Sequence, residues 1–276
     1  MNTWISQHRI ITFIIYNSIF WALCLTLLLA GETRLTILLG PLLLGLLLSL
    51  LLLFSASRQV IIKAVKQYNE QCDPNVLLKP IEEQLQKVKS KTYRQMLLMN
   101  KAVALRDLGR FDEALSILTS INIDQFGSTL PITKIVYYNN LTDILIIRGD
   151  FYQAEIWHVK MKQIISDIKV SKKQRDKLNR LTSLNQIELF IAYGNYSEAE
   201  NLLNSLSEPM TTRQQISKHL SFAKLYMGQN KPDKARECLQ FVVSAGNKIY
   251  DGLLAQRMLY NLAHFNSDNP RLNFVS

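Results

Sequence analysis

The sequence predicts an all-α protein in which an N-terminal transmembrane helical hairpin is followed by an α-solenoid. Three observations predict it. Two uncharged apolar runs, 10–30 and 35–54, are separated only by Gly31, Glu32, Thr33 and Arg34. A short turn pattern then recurs four times, and between its copies apolar residues repeat at helical spacing.

The hairpin comes first. A helix rises about 1.5 Å per residue, so some twenty apolar residues cross a hydrocarbon layer of about 30 Å. The four-residue turn makes the two runs fold back on each other, which gives a hairpin domain over 1–57. The first run is longer than the apolar core of a secretory signal and lacks a small-x-small cleavage pattern at Leu28, Leu29 and Ala30. His8 and Arg9 precede the hairpin and Arg58, Lys63 and Lys66 follow it. Basic flanks resist translocation, so both termini are expected in the cytoplasm. No acidic or basic side chain lies within the runs, which argues against an ion or proton pathway.

Residues 58–91 read as a linker and a leading helix. Pro74 stands near the start of a segment, 73–88, that carries Leu77, Leu78, Ile81 and Leu85 at helical spacing. The repeat domain covers 92–265, closing with a helix over 248–265, and 266–276 is expected to be a flexible tail.

The repeated turns are Gly109-Arg110-Phe111-Asp112-Glu113-Ala114, Gly149-Asp150-Phe151-Tyr152-Gln153-Ala154, Gly194-Asn195-Tyr196-Ser197-Glu198-Ala199, and a looser Asn230-Lys231-Pro232-Asp233-Lys234-Ala235. Glycine or asparagine ends one helix in the left-handed conformation. The alanine lets the next helix pack closely, and the aromatic fills the groove between the two. Such a pair cannot bury its apolar face alone, so copies must stack.

With Leu98, Ala102, Leu105, Gly109, Phe111, Ala114 and Leu118 in the first copy and Ala223, Tyr226 and Ala235 in the fourth, the chain resembles the tetratricopeptide repeat family. The turns are 40, 45 and 36 residues apart, longer than the family's repeat of about 34. Thr142 and Ile187 replace the small residue expected in the first helix of copies two and three. The resemblance implies a concave surface made by the first helix of each pair. It places Met99, Val103, Asn139, Asp143, Leu184, Glu188, Leu220 and Lys224 there as candidate partner-binding residues. It also puts Asn100, Asn140 and Asn185 at one equivalent position, where family members use asparagine to hold a peptide backbone.

Charge adds a second candidate surface. The chain carries +10, from 32 basic and 22 acidic residues, and its steepest basic stretch includes Lys169, Lys172, Lys173, Arg175 and Lys177. Together with Arg58, Lys63 and Lys66 these are candidate lipid-facing bases. No stacking-aromatic platform accompanies them, so nucleic acid is not the expected partner. Cys24, Cys72 and Cys238 have no metal or disulfide spacing, and His8, His158, His219 and His264 belong to no catalytic motif. No cofactor and no enzymatic activity are expected. The reading is a membrane-anchored protein–protein interaction scaffold that presents its solenoid to a protein or peptide partner. The alternatives are an extracytoplasmic repeat protein in envelope assembly or secretion, and an accessory subunit of a membrane enzyme or transporter.

Overall fold

The computed structural model describes residues 18–19, 21–22, 25–26, 45, 59–123, 131–206, 210–246 and 248–264. It divides into units of 1–63 and 64–276. Within the second unit helices follow one another without an intervening strand among the described residues. They are α1 (59–71, which begins before the boundary), α2 (Pro74–Lys87), α3 (Lys91–Asp107), α4 (Phe111–Ser120), α5 (Pro131–Ile147), α6 (Phe151–Asp167), α7 (Lys172–Ala192), α8 (Tyr196–Ser205), α9 (Thr212–Gly228), α10 (Pro232–Ala245) and α11 (Tyr250–Ala263).

The expected membrane hairpin is not upheld. Among the described residues no helix is long and apolar enough to cross a membrane. The longest, α7, has 21 residues but carries seven charged side chains; the more apolar α5 stops at 17. Runs 10–30 and 35–54 lie outside the described residues, apart from the helical positions 18–19, 21–22, 25–26 and 45. The two spans, the membrane anchor and the cytoplasmic placement of both termini are overturned with it. Arg58 and the tail 266–276 also fall outside the described residues.

The helix pairs follow the repeated turns. Gly109, Gly149 and Gly194 have φ of 75°, 78° and 76°, and Asn230 has 58°. At each, a backbone N–H of the turn reaches back to a carbonyl near the end of the preceding helix, as when Arg110 N–H donates to Leu105 O at 2.9 Å. Ala114, Ala154, Ala199 and Ala235 are fully buried one turn into the second helix of each pair. Their small side chains let α3 pack on α4, α5 on α6, α7 on α8 and α9 on α10. Thr142 and Ile187 are fully buried as well, so the larger side chains are accommodated in the interior. The α7 and α9 starts are fixed by reciprocal capping boxes, Ser171 with Gln174 and Thr211 with Gln214.

Successive first helices touch, α3 to α5 to α7 to α9 to α11, and α11 returns to α3. The stack therefore curls into a ring whose last helix meets its first. At the closure Phe111 and Tyr250 pack edge to face with centroids 4.7 Å apart, so this aromatic joins the two ends of the helix array. The α1–α2 junction also meets the far end. Cys72, at φ 51°, is buried in one cluster with Ile216, Leu220, Ile249 and Met258, and Lys248 pairs with Asp73 at 3.0 Å.

Gly109 and Gly194 share a conformation but not a neighbourhood. A methyl group at Gly109 would meet the Tyr250 ring at 3.1 Å, whereas nothing lies within 4 Å at Gly194. Gly194→Ala is expected to cost only the left-handed strain of about 1–2 kcal/mol. Gly109→Ala is expected to cost more, because it also presses on the ring closure. Denaturant unfolding of the two variants side by side checks the order.

Candidate functional site

The first helices point side chains toward the centre of the ring, and those side chains bind the helices to one another. Arg106 on α3 donates through Nε to Asp143 on α5 at 2.9 Å. Asn185 on α7 donates to the Asn139 carbonyl on α5 at 2.8 Å. Glu188 on α7 accepts from Lys224 on α9 at 2.7 Å and from Ser221. Ser217 on α9 donates to Asp251 on α11 at 3.4 Å, and Arg106 closes the circuit by donating to Asp251 at 2.7 Å. Each adjacent pair of inner helices thus has its own polar link.

Asp107, next in sequence to Arg106, faces a second set of partners. It is fully buried, accepts from Arg213 at 2.6 and 3.0 Å, and receives the Tyr68 hydroxyl of α1. Burial works to raise its carboxyl, but the Arg213 and Arg106 guanidiniums outweigh this and hold it down at about 2. The five charges of this cluster, Arg106 and Arg213 against Asp107, Asp143 and Asp251, leave one carboxylate in excess. Burial, with the Asp251 carboxylate nearby, pushes the Asp143 carboxyl up against the pull of Arg106.

These links surround a cavity of about 180 Å³. Val103, Asn139, Asn140, Asp143, Leu184, Asn185, Glu188, Leu220 and Lys224 line it, so nine of the eleven expected residues converge there. Met99 and Asn100 do not; Met99 is buried in the core. Asn139, Asn185, Asp143, Glu188 and Lys224 are committed to links within the chain. Asn140 and the rim residues Arg180, Leu181 and Leu184 take part in none of those links.

Sequence reasoning missed Arg106, Arg213, Ser217, Ser221 and Asp251. A readable signal was present in Arg106-Asp107, a charged pair inside an apolar stripe just before the first turn. The basic stretch divides differently from expectation. Lys169, Lys172, Lys173 and Lys177 are exposed, but Arg175 is half-buried and donates to the carbonyls of Ile165, Ser166 and Ile168 at 2.7, 2.9 and 3.0 Å. It satisfies the end of α6 instead of facing a lipid surface. Lys63 and Lys66 are exposed on α1. No group of His, Cys, Asp or Glu among the described residues is arranged to hold a metal. His158 is buried, His219 packs on Phe241 at 4.1 Å, and Cys72 and Cys238 are free thiols.

No family profile, curated protein or solved structure matches the chain.

Acid should weaken the ring in two stages. Burial, with Lys162 nearby, pushes the His158 imidazole from 6.5 down to about 4. Proton uptake there favours the unfolded chain, so stability falls as pH drops through that window. Asp107 is depressed from 3.8 to about 2; its contribution is complete above 3.8 and is lost as pH falls toward 2. His158→Leu is expected to remove the upper stage and Asp107→Asn the lower. At neutral pH, Asp107→Asn should also destabilise by up to about 3 kcal/mol, since it leaves the half-buried Arg213 without its charge partner. Thermal unfolding of the three proteins from pH 7 to pH 2 checks both.

Proposed function

We propose that the chain is a non-enzymatic interaction scaffold, a tetratricopeptide-like helical ring that receives a protein partner at the rim of its central cavity. The observation that carries this reading is the division of labour inside the ring. The floor is consumed by the chain's own polar links, while Arg180 and Leu181 on α7 stay exposed and Leu184 half-exposed at the mouth. A rigid wall with an apolar and cationic lip suits a partner that inserts one side chain and lays an acidic or polar segment on the rim.

Crosslinking of the full-length chain in cell extract, followed by partner identification, tests the reading. Leu184→Asp together with Arg180→Glu is expected to abolish crosslinks to one specific protein while leaving the helical spectrum unchanged. Arg257→Glu, on the exposed side of α11, is expected to leave them intact. An unaltered set of partners in a folded rim variant would overturn the assignment.

A further inference from the structure

Helix α6 carries two apolar stripes of the same spacing on opposite faces. Ala154, His158, Met161 and Ile165 form the inner one and are buried. Tyr152, Ile156 and Val159, continued by Gln163, repeat the spacing two residues out of phase. Two residues are about 200° of helical rotation, so this second stripe faces away from the core. Tyr152 is 71% exposed, Ile156 41% and Val159 59%. A helix of a single folded unit needs one apolar stripe, and α6 has two.

The charges beside the outer stripe bear on what could cover it. With Ile156 and Gln163 at heptad a, and Tyr152 and Val159 at d, the flanking g positions are Glu155 and Lys162 and the e positions are Lys160 and Asp167. None of these four takes part in an ion pair among the described residues. Among the described residues Glu155 accepts the Tyr193 hydroxyl, at 2.9 Å, and Lys160 lies 5.1 Å from the ring centres of Tyr138 and Trp157. In a parallel two-stranded coiled coil, g of one strand faces e of the other five residues on. Glu155 then meets Lys160 of a second copy, and Lys162 meets Asp167 of a second copy. Both pairs are opposite in charge and both recur by symmetry. Antiparallel pairing would match Glu155 with Lys162 but leave Lys160 and Asp167 unanswered. Gln163, polar at an a position, is the kind of residue that fixes register at some cost in affinity.

We propose that the outer face of α6 is the seam of a parallel two-fold homodimer, with Tyr152, Ile156 and Val159 buried between copies. The interface is isologous, so no open-ended assembly follows from it. The full-length chain is tested by sedimentation velocity over a wide range of concentration. The expected result is a reversible monomer–dimer equilibrium. Glu155→Lys should weaken it at least about tenfold, because attraction to Lys160 becomes repulsion. Adding Lys160→Glu should restore dimerisation, since the swapped charges attract again. Far-UV circular dichroism verifies that each variant remains folded, and Lys160→Glu alone supplies an independent variant that should weaken the dimer in the same way. A monomer at every concentration would overturn the proposal. So would self-association indifferent to Glu155→Lys, which would lie on another surface, or weakening that the double variant fails to reverse, which would mean antiparallel pairing.

Discussion

Everything else in this fold depends on two consecutive residues, Arg106 and Asp107, at the end of the first inner helix. Their side chains diverge and reach α1, α5, α9 and α11, elements as far apart in sequence as Tyr68 and Asp251. Buried charges are costly unless they are paired and hydrogen-bonded. Here the pairing partners come from both ends of the repeat array, so the cost is met only when the array is curled. An open stack would leave Arg106 and Asp107 short of partners in the interior. This turns a modular, neighbour-by-neighbour architecture into one with a fixed circumference.

The local units were legible in the sequence, because each rests on short-range chemistry. A left-handed glycine or asparagine, an aromatic, and a buried alanine at a fixed offset define a helix pair wherever they occur. The leading helix was readable from Pro74 and its apolar spacing, and the closing helix from the pattern over 248–265; they lie at Pro74–Lys87 and Tyr250–Ala263. The positions facing the centre were legible too, since nine of eleven line one cavity. Ring closure was not, because it depends on contacts such as Arg106 with Asp251, 145 residues apart, that no local pattern encodes. The links that tie the inner helices together were illegible for the same reason. Asn185 illustrates the difference: it sits where the resemblance implied, but its amide is spent on Asn139. The membrane hairpin was read from two apolar runs, the short turn between them and their basic flanks, and it finds no counterpart among the described helices.

The polar ring and the two faces of α6 suggest how such a scaffold divides its surfaces. On the proposed reading, inner side chains hold curvature, the α7 rim is the lip for a partner, and the outer α6 stripe is the seam for a second copy. Pairing two rings would place two rims on one particle, which raises the effective concentration of each for a partner with two contact points.

The central claim is that the last inner helix returns to the first, and its most direct measure is the energetic coupling between Phe111 and Tyr250. Both residues are uncharged and 139 positions apart, so their truncation leaves no buried charge behind. A double-mutant cycle on unfolding free energy, with Phe111→Leu and Tyr250→Leu, isolates their interaction. A closed ring predicts coupling of about 0.5–1.5 kcal/mol, the range of a packed aromatic pair. Strict additivity, within about 0.3 kcal/mol, would mean that the ends do not meet and would contradict the account.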